Sequence, residues 1–132
     1  MLESVRIINK SKNPNPSFGT LGSSFNIQAS IGAILMPGEI QIIDTGLFIE
    51  VPAGYELHLR TKISLACKGV TIVNAPSYIE YGNLEMVRVI LRNNNREDSI
   101  NNTFKISPGD DIASCVFVKV EKPSFINVKS FK

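Results

Sequence analysis

Apolar and polar residues alternate along much of this chain with a period of two. Between positions 45 and 52 one side of the alternation carries Leu47, Ile49 and Val51, and the other carries residues such as Gly46 and Glu50. Alternation with this period predicts strands that bury one face. Segments of the same character recur along the rest of the chain, and they are residues 5–8, 25–30, 55–60, 87–91, 104–106 and 112–120.

Turn signals separate these segments. Proline–glycine or alanine–glycine steps lie at residues 37–38, 53–54 and 108–109. Only residues 63–68 have helical character, and one or two helical turns are expected there. Short strands joined by such turns are typical of a β-sandwich or a jelly roll. With 132 residues and neither a repeat nor a linker, the chain is expected to form one all-β domain over residues 1–132.

Composition and charge argue against several classes of function. The net charge is +2 and the basic residues are scattered, so the sequence does not indicate direct nucleic-acid binding. No apolar run approaches the roughly 18 residues of a membrane span, and the first residues do not resemble a signal peptide. We therefore expect no membrane partner.

The metal-ligating residue types are few and far apart. Cys67 and Cys115 lie in apolar stretches without CxxC spacing, so we predict two reduced, buried cysteines. His58 is the only histidine, and its spacing from other ligand types predicts an ordinary strand-surface residue. No metal site is expected from these residues.

Four segments resemble the trimeric dUTPases in their order and spacing. The segments are residues 5–10, which are similar to the first strand of that family; residues 44–56, similar to its "TG-x-x-x-x-x-P-x-G-Y" segment; residues 69–76, similar to the strand that enters its uracil-binding hairpin; and residues 106–113, similar to its "PG-D-R-I-A-Q" motif. The resemblance implies a dUTPase-like jelly roll or β-barrel that forms a homotrimer, with active sites between subunits. It also implies hydrolysis of dUTP to dUMP and pyrophosphate by a carboxylate-activated water, with Mg²⁺ on the triphosphate.

The first two motifs of that family are altered here. Asn26 stands where the family has an Asp that supports the metal site through water, and an amide lacks the negative charge that favours hydrated Mg²⁺. In the segment that resembles "P-R-S-G-L-A", Lys62 replaces the Arg and loses its bidentate fork. Ile63 replaces the Ser that donates to phosphate, which leaves Ser64 as the nearest hydroxyl.

The third motif resembles "G-x-I-D-x-D-Y-R-G" in either of two registers. Without a gap, Glu80 matches the catalytic Asp, Ile79 precedes it, and Asn83 replaces the Tyr that packs under the deoxyribose. With a one-residue gap, Tyr81 matches that Tyr but Tyr78 falls at the Asp. Either register loses one of the two residues, and the sequence leaves both open.

The last two motifs also depart from the family. Asp111 replaces the Arg of the fourth motif and Ser114 replaces its Gln. A carboxylate in place of a cation that faces the triphosphate is expected to repel the substrate. The fifth motif is a glycine-rich C-terminal arm, and residues 127–132 do not resemble it, so we expect the arm to be absent.

Changes in all five motifs favour a chain that no longer hydrolyses dUTP. On this interpretation the protein is a non-catalytic homotrimer with a structural or interaction role, placed in a phage virion as a decoration, auxiliary capsid, fibre-base or tail protein, or otherwise in the cytoplasm. Its partners are then itself and other virion proteins, and it needs no cofactor. The residues that remain as vestiges of the site are Glu80, Lys62, Ser64, Asn74 and Ile79.

Two alternatives from other classes stay open. The first is a divergent dUTPase or related nucleoside triphosphate pyrophosphatase that uses Glu80 as base, Lys62 and Asn74 as substrate ligands, and Mg²⁺. The second is a regulator that binds a nucleotide or a host protein without turnover, and that the ligand stabilises by mass action.

Overall fold

The structure is a computed structural model that describes residues 4–97 and 102–132. The described part contains a single four-residue helix and otherwise strands. Their bounds are β1 Ile7–Asn9, β2 Phe25–Gln28, β3 Ala33–Leu35, β4 Ile40–Ile49, β5 Tyr55–Arg60, α1 Ile63–Ala66, β6 Val70–Ile72, β7 Ser77–Glu80, β8 Met86–Asn93, β9 Phe104–Ile106 and β10 Asp111–Lys119. The prediction of an all-β jelly roll is confirmed.

The strands form two four-stranded antiparallel sheets and one small pair. The first sheet has the order β1-β4-β8-β6, the second has the order β2-β10-β5-β7, and β3 pairs with β9. The alternation seen in the sequence places one face of each sheet in a shared core. Leu57 and Leu59 from the second sheet and Leu91 from the first are fully buried. Each such side chain contributes about 1.5–3 kcal/mol relative to an exposed one.

The segment that resembles the entry to a uracil-binding hairpin does not form a two-stranded hairpin with β7. Strand β6 pairs with β8 in the first sheet, whereas β7 pairs with β5 in the second. The connection includes Pro76, which has no N–H to donate to a strand ladder. The chain therefore crosses from one sheet to the other immediately before the third motif.

A bulge in β4 is supported by a buried hydroxyl. The register with β8 shifts between Asp44 and Phe48. Thr45 is 1% exposed, and its Oγ1 donates to the carbonyl of Val87 at 2.7 Å and accepts from the N–H of Leu47 at 3.1 Å. The threonine thus satisfies backbone groups that the shift removes from the ladder.

Asn93 has a structural role that the sequence pattern does not reveal. Its side chain is fully buried, and its Nδ2 donates to the carbonyls of Leu35 at 3.0 Å and Asn102 at 2.7 Å. Its Oδ1 accepts from the N–H of Asn95 at 3.0 Å. The end of β8, strand β3 and the segment before β9 are joined through this one amide.

The two cysteines differ in environment. Cys115 lies in the core, and burial raises the pKa of its thiol to about 12, as predicted for an inert buried residue. Cys67 is free but exposed, because it follows the short helix α1 on the surface; the prediction that it is buried is wrong. In the described residues, no helix is long and apolar enough to cross a membrane.

Candidate functional site

Three polar side chains meet on the second sheet, and we call them the Lys62 cluster: Asn26, Lys62 and Asp111. Asn26 lies in β2, Asp111 begins β10, and Lys62 precedes α1. The ammonium of Lys62 donates to Asn26 Oδ1 at 3.3 Å, and Asn26 Nδ2 donates to Asp111 Oδ2 at 3.3 Å. Lys62 Nζ lies 3.9 Å from Asp111 Oδ2. Altered residues from three separate motifs are therefore in mutual contact.

Strand pairing brings these residues together. Strand β10 lies between β2 and β5, and Ser114 of β10 faces Asn26 on one side and Arg60 on the other. Beyond β5 the chain stays extended at Lys62, with φ −68° and ψ 135°, before α1 begins. The motif residues converge because the sheet order places their strands side by side.

The charges of the Lys62 cluster compensate one another. The amide of Asn26 turns its oxygen to the ammonium and its nitrogen to the carboxylate. The side chains of Lys62 and Asp111 are 26% and 35% exposed, and pairs as loose and solvated as this one contribute about 0–1 kcal/mol. Asp111 therefore does not present an unbalanced negative charge, and both charged groups can turn to a ligand at small cost.

The neighbouring residues of the second motif lie on the surface. Ile63 is 80% exposed and Ser64 is exposed beside it on α1. The Ile63 side chain therefore does not pack into the core, and it does not cover the Lys62 cluster. The hydroxyl of Ser64 is open to solvent at the first turn of the helix.

Glu80 lies at the end of β7, where the chain turns. The N–H of Asn83 donates to the carbonyl of Glu80 at 3.1 Å, and Gly82 adopts φ +91°, a conformation that favours glycine. The Glu80 side chain is exposed. Among residues 4–97 and 102–132, no side chain forms a hydrogen bond or ion pair with its carboxylate, which leaves the carboxylate accessible to water or a ligand.

The core fixes the orientation of Glu80. Ile79 is 9% exposed and packs in the core, and it pairs with the fully buried Leu57. Tyr78 points to the opposite face, where its ring centroid lies 6.3 Å from that of His58. Because successive side chains of a strand face opposite ways, Glu80 must point outward. A buried isoleucine directly before an outward carboxylate matches the ungapped register of the third motif.

Asn74 and Ile79, the other two candidate residues, differ in accessibility. Asn74 is exposed in the turn between β6 and β7, and its side chain is available to a ligand. The side chain of Ile79 belongs to the core and is not available. Of the other candidates, Lys62 lies in the Lys62 cluster, Ser64 lies next to it on α1, and Glu80 begins the turn at residues 80–83, which we call the β7 turn.

Next to Glu80, a histidine and a second carboxylate form a pair that sequence reasoning missed. Glu56 lies directly opposite Glu80 in the β5–β7 register. His58 Nε2 lies 2.9 Å from Glu56 Oε1, and in the described part of the chain the buried Nδ1 has no hydrogen-bond partner. The spacing of two residues along β5 was the available signal, since it places both side chains on one face. His58 is half-buried and paired, not simply a surface histidine.

The Lys62 cluster and Glu80 are far apart within one chain. Glu80 is paired with Glu56, and from Glu56 to Lys62 the extended chain advances six residues. At about 3.3 Å per residue the two positions are roughly 20 Å apart. One chain therefore does not bring the Glu80 carboxylate and the Lys62 ammonium to neighbouring phosphates.

A polar cavity adjoins the Lys62 cluster. Its volume is about 240 Å³, and its wall includes Asn26, Asp111 and side chains of the loop at residues 11–17. No group of three or more His, Cys, Asp or Glu side chains that could enclose a metal ion occurs in the described residues. One carboxylate beside an open polar cavity fits a Mg²⁺ ion that keeps most of its waters and arrives with substrate phosphates.

Comparison with known proteins shows the family of this all-β jelly roll. No family model matches the chain. It is 35% identical over 133 residues to the deoxyuridine 5′-triphosphate nucleotidohydrolase of Cytophaga hutchinsonii, covering 98% of this chain and 83% of that protein. It is 33% identical over 129 residues to the protein of the same name from Finegoldia magna, covering 95% and 87%. The chain belongs to the dUTPase family.

Solved structures of phage dUTPases share the fold. The dUTPase of S. aureus phage φ11, in a variant described for its coordination of a structural Mg(II) ion, aligns with a TM-score of 0.87 at 20% identity, over 97% of this chain and 98% of that one. The dUTPase of Staphylococcus bacteriophage 80α, described as controlling the transfer of virulence genes, aligns with a TM-score of 0.90 at 18% identity, over 99% of both chains.

These findings correct the main functional interpretation of the sequence. Relatives that are named as dUTP nucleotidohydrolases match nearly the whole chain at 33–35% identity. The interpretation of a non-catalytic structural protein of a virion is therefore wrong. It treated each altered motif as a separate loss, whereas Asn26, Lys62 and Asp111 form one connected group.

Proposed function

We propose that the protein hydrolyses dUTP to dUMP and pyrophosphate, with Glu80 as the general base. The observation that carries the proposal is the position of Glu80. Its carboxylate projects from the end of β7 directly after the buried Ile79, and it has no competing partner among the described residues. A carboxylate that accepts a proton from water must be reachable by that water, and this one is. Strong similarity to named dUTPases supports the same reaction.

The Lys62 cluster supplies the phosphate-binding half of the site. Hydrolysis at a phosphate depends on positioning and on neutralising charge. Among the described residues, the ammonium of Lys62 contacts a neutral amide at 3.3 Å and a more distant carboxylate at 3.9 Å, so it can turn to a phosphate oxygen. Ser64 adds an exposed hydroxyl, and Asn74 adds an amide near β7. Bound Mg²⁺ would supply further neutralisation of the triphosphate.

The two halves come from different subunits of a homotrimer. The separation of roughly 20 Å between Glu80 and Lys62 within one chain requires that the halves meet across an interface. Exposed apolar side chains in the segment after β10 also support an assembly, because a neighbouring subunit could bury them. They are Phe125, Ile126 and Phe131, which are 81–103% exposed. Light scattering should give a mass of three times 14.5 kDa. A monomer at assay concentration would contradict this arrangement.

Release of pyrophosphate by the purified protein tests the proposed reaction. With dUTP and Mg²⁺ we expect turnover above about 0.1 s⁻¹ and much slower turnover with dCTP, dTTP and UTP. Glu80→Gln should lower kcat by about 10²–10⁴-fold, because the amide cannot accept the proton.

Glu85→Gln is the matched control, since it removes an exposed carboxylate from the same loop. It should leave turnover within about twofold of the wild-type rate, far from the loss expected for a missing base. Absence of turnover with every nucleotide contradicts the proposed function. Equal losses in the two variants contradict the assignment of Glu80 as base.

A further inference from the structure

We propose that Asp111 supplies the carboxylate that Asn26 cannot, and that it positions the hydrated divalent cation carried by the substrate triphosphate. The inference rests on the proposed function, since it concerns the phosphate-binding half of the same site. It assigns a positioning role to a residue whose type, from the sequence, appeared incompatible with substrate.

The contact between the two side chains is the first support. Asp111 Oδ2 lies 3.3 Å from Asn26 Nδ2, so the carboxylate of β10 is one hydrogen bond from the side chain of β2. The amide of Asn26 has no charge for a cation, but the carboxylate beside it does. The negative charge has therefore moved by one strand while remaining at the same surface.

A β-bulge aims Asp111 toward that place. Asp111 pairs with Gln28, but the next pair is Ala113 with Ile27, so β10 has one extra residue at this point. The extra residue, Ile112, is buried. Bulges of this kind redirect side chains at functional sites. The preceding Asp110 stabilises the turn instead, because its Oδ2 accepts a hydrogen bond from the N–H of Ser107 at 2.8 Å.

The surroundings of Asp111 suit a hydrated ion. The adjoining cavity of about 240 Å³ is lined mainly by amide and hydroxyl side chains. A water occupies about 30 Å³ in the liquid, so there is room for an ion with about six waters. Lys62, at 3.9 Å, balances the carboxylate in the free protein and can release it when phosphates bind. Binding of the metal–triphosphate would therefore replace the weak ion pair between Lys62 and Asp111.

Binding of Mn²⁺ tests the inference with a readout other than turnover. Mn²⁺ bound to the protein with α,β-imido-dUTP is measured by electron paramagnetic resonance. Asp111→Asn should weaken Mn²⁺ binding by about tenfold, as loss of an outer-shell ligand does. Adding Asn26→Asp in the same chain should restore affinity to within about threefold, because it returns one carboxylate to the cluster.

Asp44→Asn is the matched control. Asp44 is also a partly exposed aspartate paired with a basic side chain, Arg88 at 3.0 Å, but it lies on the other sheet. This variant should bind Mn²⁺ like the wild type. An Asp111→Asn protein that binds Mn²⁺ with unchanged affinity overturns the inference.

A second measurement, paramagnetic broadening of backbone amides, does not depend on the Asp111→Asn variant. If Asp111→Asn fails to fold, paramagnetic broadening in the wild-type protein replaces it. The amides of Asn26 and Asp111 should broaden strongly, whereas that of Lys119, at the other end of β10 and roughly 26 Å away, should broaden little. Uniform broadening, or none, overturns the inference.

Wild-type protein that binds Mn²⁺ through Asp111 but releases no pyrophosphate contradicts the proposed function alone. Turnover of dUTP with Mn²⁺ affinity independent of Asp111 contradicts the inference alone.

Discussion

The two halves of the candidate site are built in different ways. The β7 turn places one carboxylate by backbone means: the register with β5 and the buried Ile79 fix the direction of Glu80. The Lys62 cluster places its groups by side-chain contacts, in which an amide bridges a cation and an anion. The direction of the Glu80 side chain therefore depends on the strand register and not on side-chain contacts of its own. The Lys62 cluster depends on the residue types at its three positions, because each side chain holds its neighbour.

This difference explains why judging the motifs one at a time gave the wrong function. Asn26 alone is a lost carboxylate, and Asp111 alone is a lost cation. In contact at 3.3 Å they retain one carboxylate at the surface of the second sheet. Substitutions that seem damaging separately can therefore be compensatory when the strands that carry them are neighbours.

Apart from loss of the proposed base, the largest effect is predicted for a variant of the phosphate-binding half. Lys62→Met removes the only ammonium of the Lys62 cluster while keeping most of the stem, and kcat/KM for dUTP should fall about 100-fold. The loss of a hydrogen bond to a charged group costs about 1.5–3 kcal/mol, which is consistent with that factor. Steady-state pyrophosphate release measures it.

Lys62→Arg serves as the control for this variant. It keeps the charge and adds a bidentate fork for phosphate, so it should retain activity within about tenfold. If Lys62→Met has the same kcat/KM as the wild type, the Lys62 cluster does not contact the triphosphate.

A smaller effect, on stability, is predicted for a residue outside both the Lys62 cluster and the β7 turn. Asn93→Ala removes the amide that joins β8 to β3 and to the segment before β9, and it leaves buried carbonyls without a donor. We expect a loss of about 1–3 kcal/mol in the free energy of unfolding, with kcat for dUTP unchanged below the melting range. Urea denaturation and turnover are measured on the same preparation. A fall in kcat without a fall in stability would show that the loop beyond β8 belongs to the site.

The smallest effect concerns a surface ion pair that contrasts with the loose one in the Lys62 cluster. Arg6 donates to both oxygens of Glu50, at 2.9 and 2.7 Å, and these hydrogen bonds hold the pKa of Glu50 below its usual value of 4.5. A carboxylate whose pKa is lowered by folding stabilises the protein above its unfolded pKa. That contribution is lost as the pH falls through the lowered value.

Glu50→Gln should therefore lower the melting temperature slightly at pH 7, and the difference from the wild type should vanish in strong acid. High salt should also reduce it, because both groups are exposed. A difference that grows on acidification would contradict this account of the pair.

The sequence predicted the fold well because burial of alternating residues determines it. The segments around Ile27, Leu57 and Val89 have the expected strand pattern, and those residues are buried. The crossing of the chain from the first sheet at β6 to the second at β7 could not be predicted, because segments of three and four residues carry too little pattern to assign them to different sheets. The exposure of Cys67 follows from the position of α1 on the surface, which apolar neighbours in sequence do not reveal.

The candidate site was less predictable because its contacts are distant in sequence. Asn26 and Lys62 are 36 residues apart, and Asn26 and Asp111 are 85 apart. Only the sheet order β2-β10-β5 brings them together. Glu80 was recognised from its motif, but its outward direction required the burial of Ile79 to be known.

The most direct test of a site shared between subunits is complementation between two inactive variants. Glu80→Gln and Lys62→Met chains are co-expressed in equal amounts, and mixed trimers are verified by native mass spectrometry. If Glu80 of one subunit acts with Lys62 of the next, one interface in four on average carries both intact residues. The mixture should then recover about one quarter of the wild-type rate of pyrophosphate release from dUTP. Mixed trimers that stay as inactive as each variant alone would contradict the account, because the two residues would then have to act within the same chain.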